Sequence, residues 1–340
     1  MTPREDSMKV AVIGSGAMGT IFGLAMAQSG DEVLFYDVRD DLIAAIEANG
    51  LHLEGVLGAF HSRPKAARKP EQLGVVDCAL VAVDANATPQ AAIVAASCLS
   101  GRGFALSLQN GIGNVEALGE ALGLERVVAG STYNSGASLG LARVLHSNAG
   151  PTWIGEAAGG GSERVHDLAR RLTAAGLPTT VSDNVMRIIW SKFVHNCAIN
   201  PVSAITGLRP GEIARNPSAA WIMKALLDEI LAVVDRAGVD LPPDTRAEIY
   251  DHAWERYNKP SMLQHLEGGR PTEIDALNGA LLKKAKSLGV PAPVNATIAA
   301  LVRALGAQHR MRAGNPALDE AAMEALARSN PRAGRWGSEA

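Results

Sequence analysis

The chain has 340 residues, long enough for two domains that each bury a core. Its formal net charge of −3 argues against a broad nucleic-acid surface, which needs a basic excess. Aromatic residues make up only 4%, while alanine and glycine are plentiful, a balance that suits close helix packing better than a β-sandwich.

Residues 8–13 (MKVAVI) form an apolar, β-branched run that predicts a buried parallel strand. A helix is expected over 17–29, stopping at Gly30. Glu32–Asp37 reads as a second strand and Asp40–Asn49 as a helix closed by Gly50. Val75–Val83 and Phe104–Leu108 read as further core strands, with a helix over Thr88–Cys98 between them. Strands that alternate with helices imply a doubly wound parallel sheet with right-handed crossovers. Near residue 150 the pattern changes, with strands expected at Pro151–Gly155 and Pro178–Ser182 around a helix at Glu163–Ala175. Beyond Asp183 nearly everything is helical in pattern, over 184–200, 211–237, 243–257, 272–288 and 293–307. The expected class is therefore α/β: a Rossmann-type domain over 1–182, an all-helical domain over 183–312, and a short helix near 316–328 within a tail over 313–340.

Cys78, Cys98 and Cys197 have neither metal nor redox spacing and read as buried free thiols. No His/Cys/carboxylate group has metal-ligand spacing. The polar first residues lack a leader pattern, and no uncharged apolar run reaches membrane-spanning length. A cytoplasmic protein without membrane or nucleic-acid partners is expected. Long apolar helices such as 219–234 offer a face for a homodimer.

Gly14-Ser15-Gly16-Ala17-Met18-Gly19 fits G-x-G-x-x-G between a predicted strand and a predicted helix, the context that makes this pattern a dinucleotide site. Gly14 permits the tight turn, Gly16 the approach of the pyrophosphate, and Gly19 close packing of helix on strand. The helix N-terminus offers N–H groups to the phosphates. Asp37 closes the second strand, where a carboxylate accepts from the ribose hydroxyls of NAD and repels the 2′-phosphate of NADP. Arg39 offers a cation that could serve the phosphate of NADP instead. NAD is the expected cofactor, with NADP as the alternative.

In the second half, Lys192, Asn196 and Asn200 recur at i, i+4, i+8, which stacks an ammonium and two amides on one helix face. Polar groups inside so apolar a helix are costly unless partnered. A second polar cluster spans Ser261–Gln264 and Arg270–Asp275, where Thr272 and Asp275 have capping-box spacing.

Taken together, these motifs resemble the ketopantoate reductase (2-dehydropantoate 2-reductase) family over residues 8 to about 305: the glycine motif, the QNG of 109–111, the K-x-x-x-N-x-x-x-N-P of 192–201, and SMLQ…GRPTEID over 261–275. The resemblance implies an oxidoreductase of pantothenate biosynthesis that transfers hydride from NAD(P)H to the C2 ketone of a small 2-oxo acid. It implies Lys192 as general acid, Asn196, Asn200 and Ser261 as substrate ligands, and Asn110 and Glu273 at both substrate and cofactor. The alkoxide left by hydride transfer needs a proton donor within hydrogen-bond reach, and a lysine supplies the proton and a stabilising charge. Glu273 is expected to balance that charge and to pair with Lys192 in a closed form. His195 reads as packing. Three positions depart from the family: Asp84 replaces a lysine beside the cofactor, Gly207–Pro210 lacks a further asparagine, and His265 follows SMLQ. Alternatives are a catabolic NAD-dependent D-2-hydroxyacid dehydrogenase, a β-hydroxyacid dehydrogenase and a nucleotide-sensing binding protein.

Overall fold

The computed structural model describes residues 7–314 together with Ala321, Glu324, Ala325 and Arg328. The helix expected near 316–328 and the tail around it fall outside the continuous described stretch. Two compact units emerge. The first takes the chain to His195 with Leu231–Thr245 and Lys283–Val290; the second takes Asn196–Ile230, Arg246–Leu282 and the chain from Pro291.

In the first unit the chain runs β1 (Lys9–Ile13), α1 (Ala17–Gln28), β2 (Glu32–Tyr36), α2 (Asp40–Asn49), β3 (Leu51–Gly55), β4 (Phe60–Ser62), β5 (Lys65–Ala67) and β6 (Val76–Val81). It continues through α3 (Thr88–Cys98), β7 (Leu99–Ser107), α4 (Asn114–Leu122), β8 (Val127–Thr132), β9 (Ser135–Gly140), β10 (Arg143–Asn148), β11 (Thr152–Glu156), α5 (Glu163–Ala174), β12 (Thr179–Val181) and the start of α6 (Val185–Thr206). The main sheet has the order β12-β11-β8-β7-β6-β1-β2-β5. Val10–Ile13 of β1 are buried because helices cover both faces, which is why that run is apolar throughout. The order reverses between β1 and β6, and the crevice beyond the strand ends at such a switch point is where ligands bind.

The sheet is not wholly parallel: β11 runs antiparallel to β8. Between those two strands the chain leaves to form β9 and β10, which join β3 and β4, from between α2 and β5, in a second sheet of order β4-β3-β10-β9 that the strand pattern did not predict. Its strands are short and only one face is covered. Leu51, Leu53, Val144 and His146 are buried while His52, Glu54, Arg143 and Ser147 are exposed. Cys78, Cys98 and Cys197 are free and buried, and burial pushes the Cys98 thiol up to about 11.

The second unit is helical, as expected. It holds the C-terminal part of α6, α7 (Pro210–Arg215), most of α8 (Pro217–Arg236), α9 (Thr245–Glu255), α10 (Ser261–Glu267), the start of α11 (Ala280–Leu288) and α12 (Pro293–Gly314). The single helix expected over 211–237 is two. Asn216 precedes Pro217, which drives it out of the helical region (ψ 117°), and its Oδ1 accepts from the N–H groups of Ser218 and Ala219. The helix expected from 272 begins later, as a π-turn over Asp275–Gly279 that leads into α11. The capping box of Thr272 and Asp275 does not form: the turn is entered at Ile274 without a side-chain cap, and Asp275 pairs with Arg303 at 2.7 Å. Among the described residues no helix is long and apolar enough to cross a membrane.

Candidate active site

The turn after β1 is built around its three glycines. Gly14 adopts φ +100°, and its N–H donates to Tyr36 O at 2.9 Å. A Cβ on Gly14 would lie 2.8 Å from the Ala82 backbone, and one on Gly19 would lie 2.0 Å from Gly14 O. At Gly16 a Cβ would meet nothing within 4 Å. Two glycines are therefore forced by the protein itself, and the third faces open space. Helix α1 begins at Ala17 without a side-chain cap and without an acidic residue in its first turn. Gly16, Ala17 and Met18 are half-buried at the start of the helix, where backbone N–H groups lack intrahelical acceptors and an anion would sit. These features fit a dinucleotide pyrophosphate.

Asp37 is tied to the same turn. Its Oδ2 accepts from Ser15 N–H at 2.9 Å, and its Oδ1 accepts from Arg39 N–H at 3.0 Å and from Arg39 Nε at 3.4 Å. A carboxylate has about four acceptor sites, so these bonds orient Asp37 without exhausting it. The Arg39 side chain is 55% exposed against 11% for Asp37, so the carboxylate is the fixed partner. Burial, reinforced by the Asp37 charge, raises the Tyr36 phenol. Asp84 is exposed where β6 gives way to α3.

The QNG turn is locked from below. Gln109 Nε2 donates to Val83 O at 2.7 Å and to Thr88 Oγ at 2.8 Å. Thr88 donates to Asn114 Oδ1 at 2.9 Å, and Asn114 Nδ2 donates back to Asn110 O at 3.1 Å. Thr88 and Asn114 are buried, so this network is hard to leave half-made. It leaves the Asn110 side chain aimed at Lys192, whose Nζ donates to Asn110 Oδ1 at 3.0 Å and to Thr132 O at 2.5 Å. The Tyr133 ring, 44% exposed, lies 5.1 Å from the same ammonium. Asn110 and Lys192, two residues that the family resemblance singled out 82 positions apart, thus lie within hydrogen-bond distance. Thr132 and Tyr133 were not foreseen. A backbone carbonyl carries no residue signature, and the strand that presents it was not recognised.

Thr132 is fixed in its turn. Asn134 Nδ2 donates to Thr132 Oγ1 at 2.9 Å and to Gly150 O at 2.7 Å, and its Oδ1 accepts from His146 Nε2 at 2.9 Å. Burial lowers the His146 pKa, which keeps that ring neutral beside the lysine's anchor.

In the second unit Ser261 Oγ donates to Glu273 Oε2 at 3.3 Å, bringing together two of the predicted site residues. Asn196 is half-buried and Asn200 buried on α6, one and two turns beyond Lys192. His195 is half-buried. Among the described residues no group of three or more His, Cys, Asp or Glu gathers as a metal site.

Comparison with known proteins covers nearly the whole chain. The family described as "Ketopantoate reductase PanE/ApbA" matches residues 10–159, and "Ketopantoate reductase PanE/ApbA C terminal" matches 184–306. A 2-dehydropantoate 2-reductase of Archaeoglobus fulgidus is 33% identical over 297 residues, 87% of this chain and 97% of that one. The crystal structure of a PanE/ApbA family ketopantoate reductase from Ralstonia eutropha JMP134 superposes with a TM-score of 0.78 at 33% identity, covering 89% of this chain and 100% of that one. The ternary structure of a D-mandelate dehydrogenase with NADH and anilino(oxo)acetate gives 0.77 at 26% identity, covering 89% and 99%.

Proposed function

This chain belongs to the ketopantoate reductase family, and from that membership we propose that it moves hydride between NAD(H) and C2 of a small 2-oxo or 2-hydroxy acid of the 2-dehydropantoate type, with Lys192 as general acid. The observation that carries the reading is the placement of Lys192 Nζ between Asn110 Oδ1 and Thr132 O, in the same compact unit as the Gly14–Gly19 turn.

The Gly14–Gly19 turn and the start of α1 hold the pyrophosphate, and Asp37 accepts from the adenosine ribose. A bound nicotinamide supplies or accepts the hydride at the substrate's C2. Lys192 supplies the proton at Nζ to the alkoxide oxygen and stabilises its charge as it forms. The bonds to Asn110 Oδ1 and Thr132 O hold the ammonium in one orientation. Asn196, Asn200 and Ser261 orient the acid. Glu273, which accepts from Ser261, fixes that hydroxyl. On this reading residues 1–182 form the cofactor domain and 183–312 the substrate domain.

Asp37 favours NAD over NADP, because its carboxylate is held against Ser15 N–H where a 2′-phosphate would bring negative charge. The same residue supports a second reading, an NAD-dependent D-2-hydroxyacid dehydrogenase working in the oxidative direction, as does the likeness to the NADH complex of D-mandelate dehydrogenase. A panel of 2-oxo and 2-hydroxy acids assayed with NADH, NADPH, NAD and NADP separates the two. Reduction of 2-dehydropantoate with NADH supports the first, and oxidation of aromatic or aliphatic D-2-hydroxy acids alone supports the second. A tenfold or greater preference for NADPH overturns the role given to Asp37.

A further inference from the structure

Helix α6 carries Pro201 in its interior. Proline has no N–H, so the carbonyl of Cys197, four residues earlier, loses the bond an ordinary residue would give it. A side chain from elsewhere supplies one: Asn278 Nδ2 donates to Cys197 O at 3.1 Å. Asn278 is fully buried and lies in the π-turn Asp275–Gly279, which starts two residues after Glu273. A π-turn inserts one residue into the helical repeat and re-aims the side chains it carries.

The orientation of that amide is fixed from behind. Glu229 receives the N–H groups of Val294 and Asn295 at 2.9 Å each, capping the start of α12, and the Nδ2 of Asn295 at 2.8 Å. A carboxylate only accepts, so Asn295 turns its NH2 to Glu229 and to Leu226 O, and its Oδ1 to Asn278. Asn278 must then present its own NH2 to Asn295 Oδ1, at 2.9 Å, and with it to Cys197 O. The opposite face of the Asn278 amide, Oδ1, is buried with no partner among the described residues, so the arrangement is kept for its donor.

We propose that Asn278 is a positioning residue: its side-chain amide stands in for the N–H that Pro201 lacks, and so fixes the turn of α6 that carries Asn196 and Asn200. The inference rests on the reading of those two asparagines as substrate ligands. The bond ties α6 to the segment that begins with Glu273, so two groups assigned to the same substrate share one buried support.

A double-mutant cycle with Asn278→Leu and Pro201→Ala in the full chain tests this, reading the urea midpoint, the KM and kcat for the best acid of the panel, and the Kd for NADH. Asn278→Leu should lower the midpoint and raise KM about tenfold, with kcat changed less than about threefold and the Kd for NADH unchanged. The Pro201→Ala change returns a backbone N–H to Cys197 O. In that background Asn278→Leu should therefore lose less than half as much midpoint and raise KM less than about threefold. Additive losses, or a KM untouched by Asn278→Leu, overturn the proposal. If the leucine variant folds only together with Pro201→Ala, the rescue itself supports it; if it folds in neither, Asn278→Ala is taken through the same cycle. A wild type that turns over no acid of the panel sinks the substrate reading on its own, and the midpoints still decide whether Asn278 replaces the missing N–H.

Discussion

Two alanines placed three residues apart should separate the ligand's demands on the glycine turn from the fold's. Gly16 sits at φ −73°, ψ −164°, where any residue is comfortable, and its Cβ would meet nothing within 4 Å. Gly16→Ala should leave stability unchanged or raise it by about 0.4–1 kcal/mol, through the less flexible unfolded chain. At Gly19 the added methyl lands 2.0 Å from Gly14 O and 3.1 Å from Val12 Cγ1. Gly14 has little room to retreat, since the Ala82 backbone closes off its own Cβ position. Overpacking against backbone costs about 1–3 kcal/mol or more, so the two variants should differ by about 2–4 kcal/mol. In a domain of this size that is a gap of at least about 5 °C in Tm. Affinity should run the other way. In folded Gly16→Ala the methyl stands where the pyrophosphate approaches, and the Kd for NADH should rise about 10- to 100-fold. Calorimetry and fluorescence titration with NADH measure both. Wild-type affinity in Gly16→Ala would mean that no phosphate comes near this backbone, and a wild-type Tm in Gly19→Ala would refute the packing argument.

Lys192→Ala should lose about 10²- to 10⁴-fold in kcat while its Kd for NADH stays within about threefold of wild type, and a near-normal kcat removes the lysine from proton transfer. Asp37→Ala should weaken NADH binding and narrow the preference between NADH and NADPH; unchanged selectivity in paired kcat/KM measurements would remove Asp37 from cofactor choice. His146 titrates lower in the fold than its ordinary value of about 6.5, so the unfolded chain takes up the proton first. Its contribution is therefore complete above that pH and is lost as pH falls through it. His146→Gln, which keeps a donor for Asn134, should flatten the decline in urea midpoint between pH 7 and pH 5, and an identical slope in both proteins would exclude the histidine as its source.

The legible parts of this protein are those where a residue type has one physical use. Gly14 and Gly19 are glycines because backbone lies within 3 Å of any Cβ, and a turn with that requirement announces itself in a string of letters. Lys192 stood out because an ammonium repeated with amides at helical spacing is expensive on an apolar helix. Thr132 stayed hidden because its contribution is a carbonyl that any residue possesses. The Gln109–Thr88–Asn114 lock stayed hidden because it joins three ordinary polar residues across 26 positions. The small sheet was missed because β3, β4, β9 and β10 have at most six residues each, with one covered face and glycines among them. The helix expected from Thr272 failed for a related reason. Asp275 has a tertiary partner in Arg303, which outweighs the local cap.

That small sheet also has a history written into its register. His52 of β3 pairs with Arg143 of β10, about ninety positions further along the chain. The β3–β4 hairpin can form as soon as it is synthesised, but its other edge has no partner until Arg143–Asn148 follows. Contacts that distant come late in folding, after the local β1–α1–β2 unit that bears the cofactor turn. During synthesis the chain therefore has its dinucleotide turn in place while an open strand edge still waits, and a chain cut anywhere between β5 and β10 keeps that edge as a template for pairing with its neighbours.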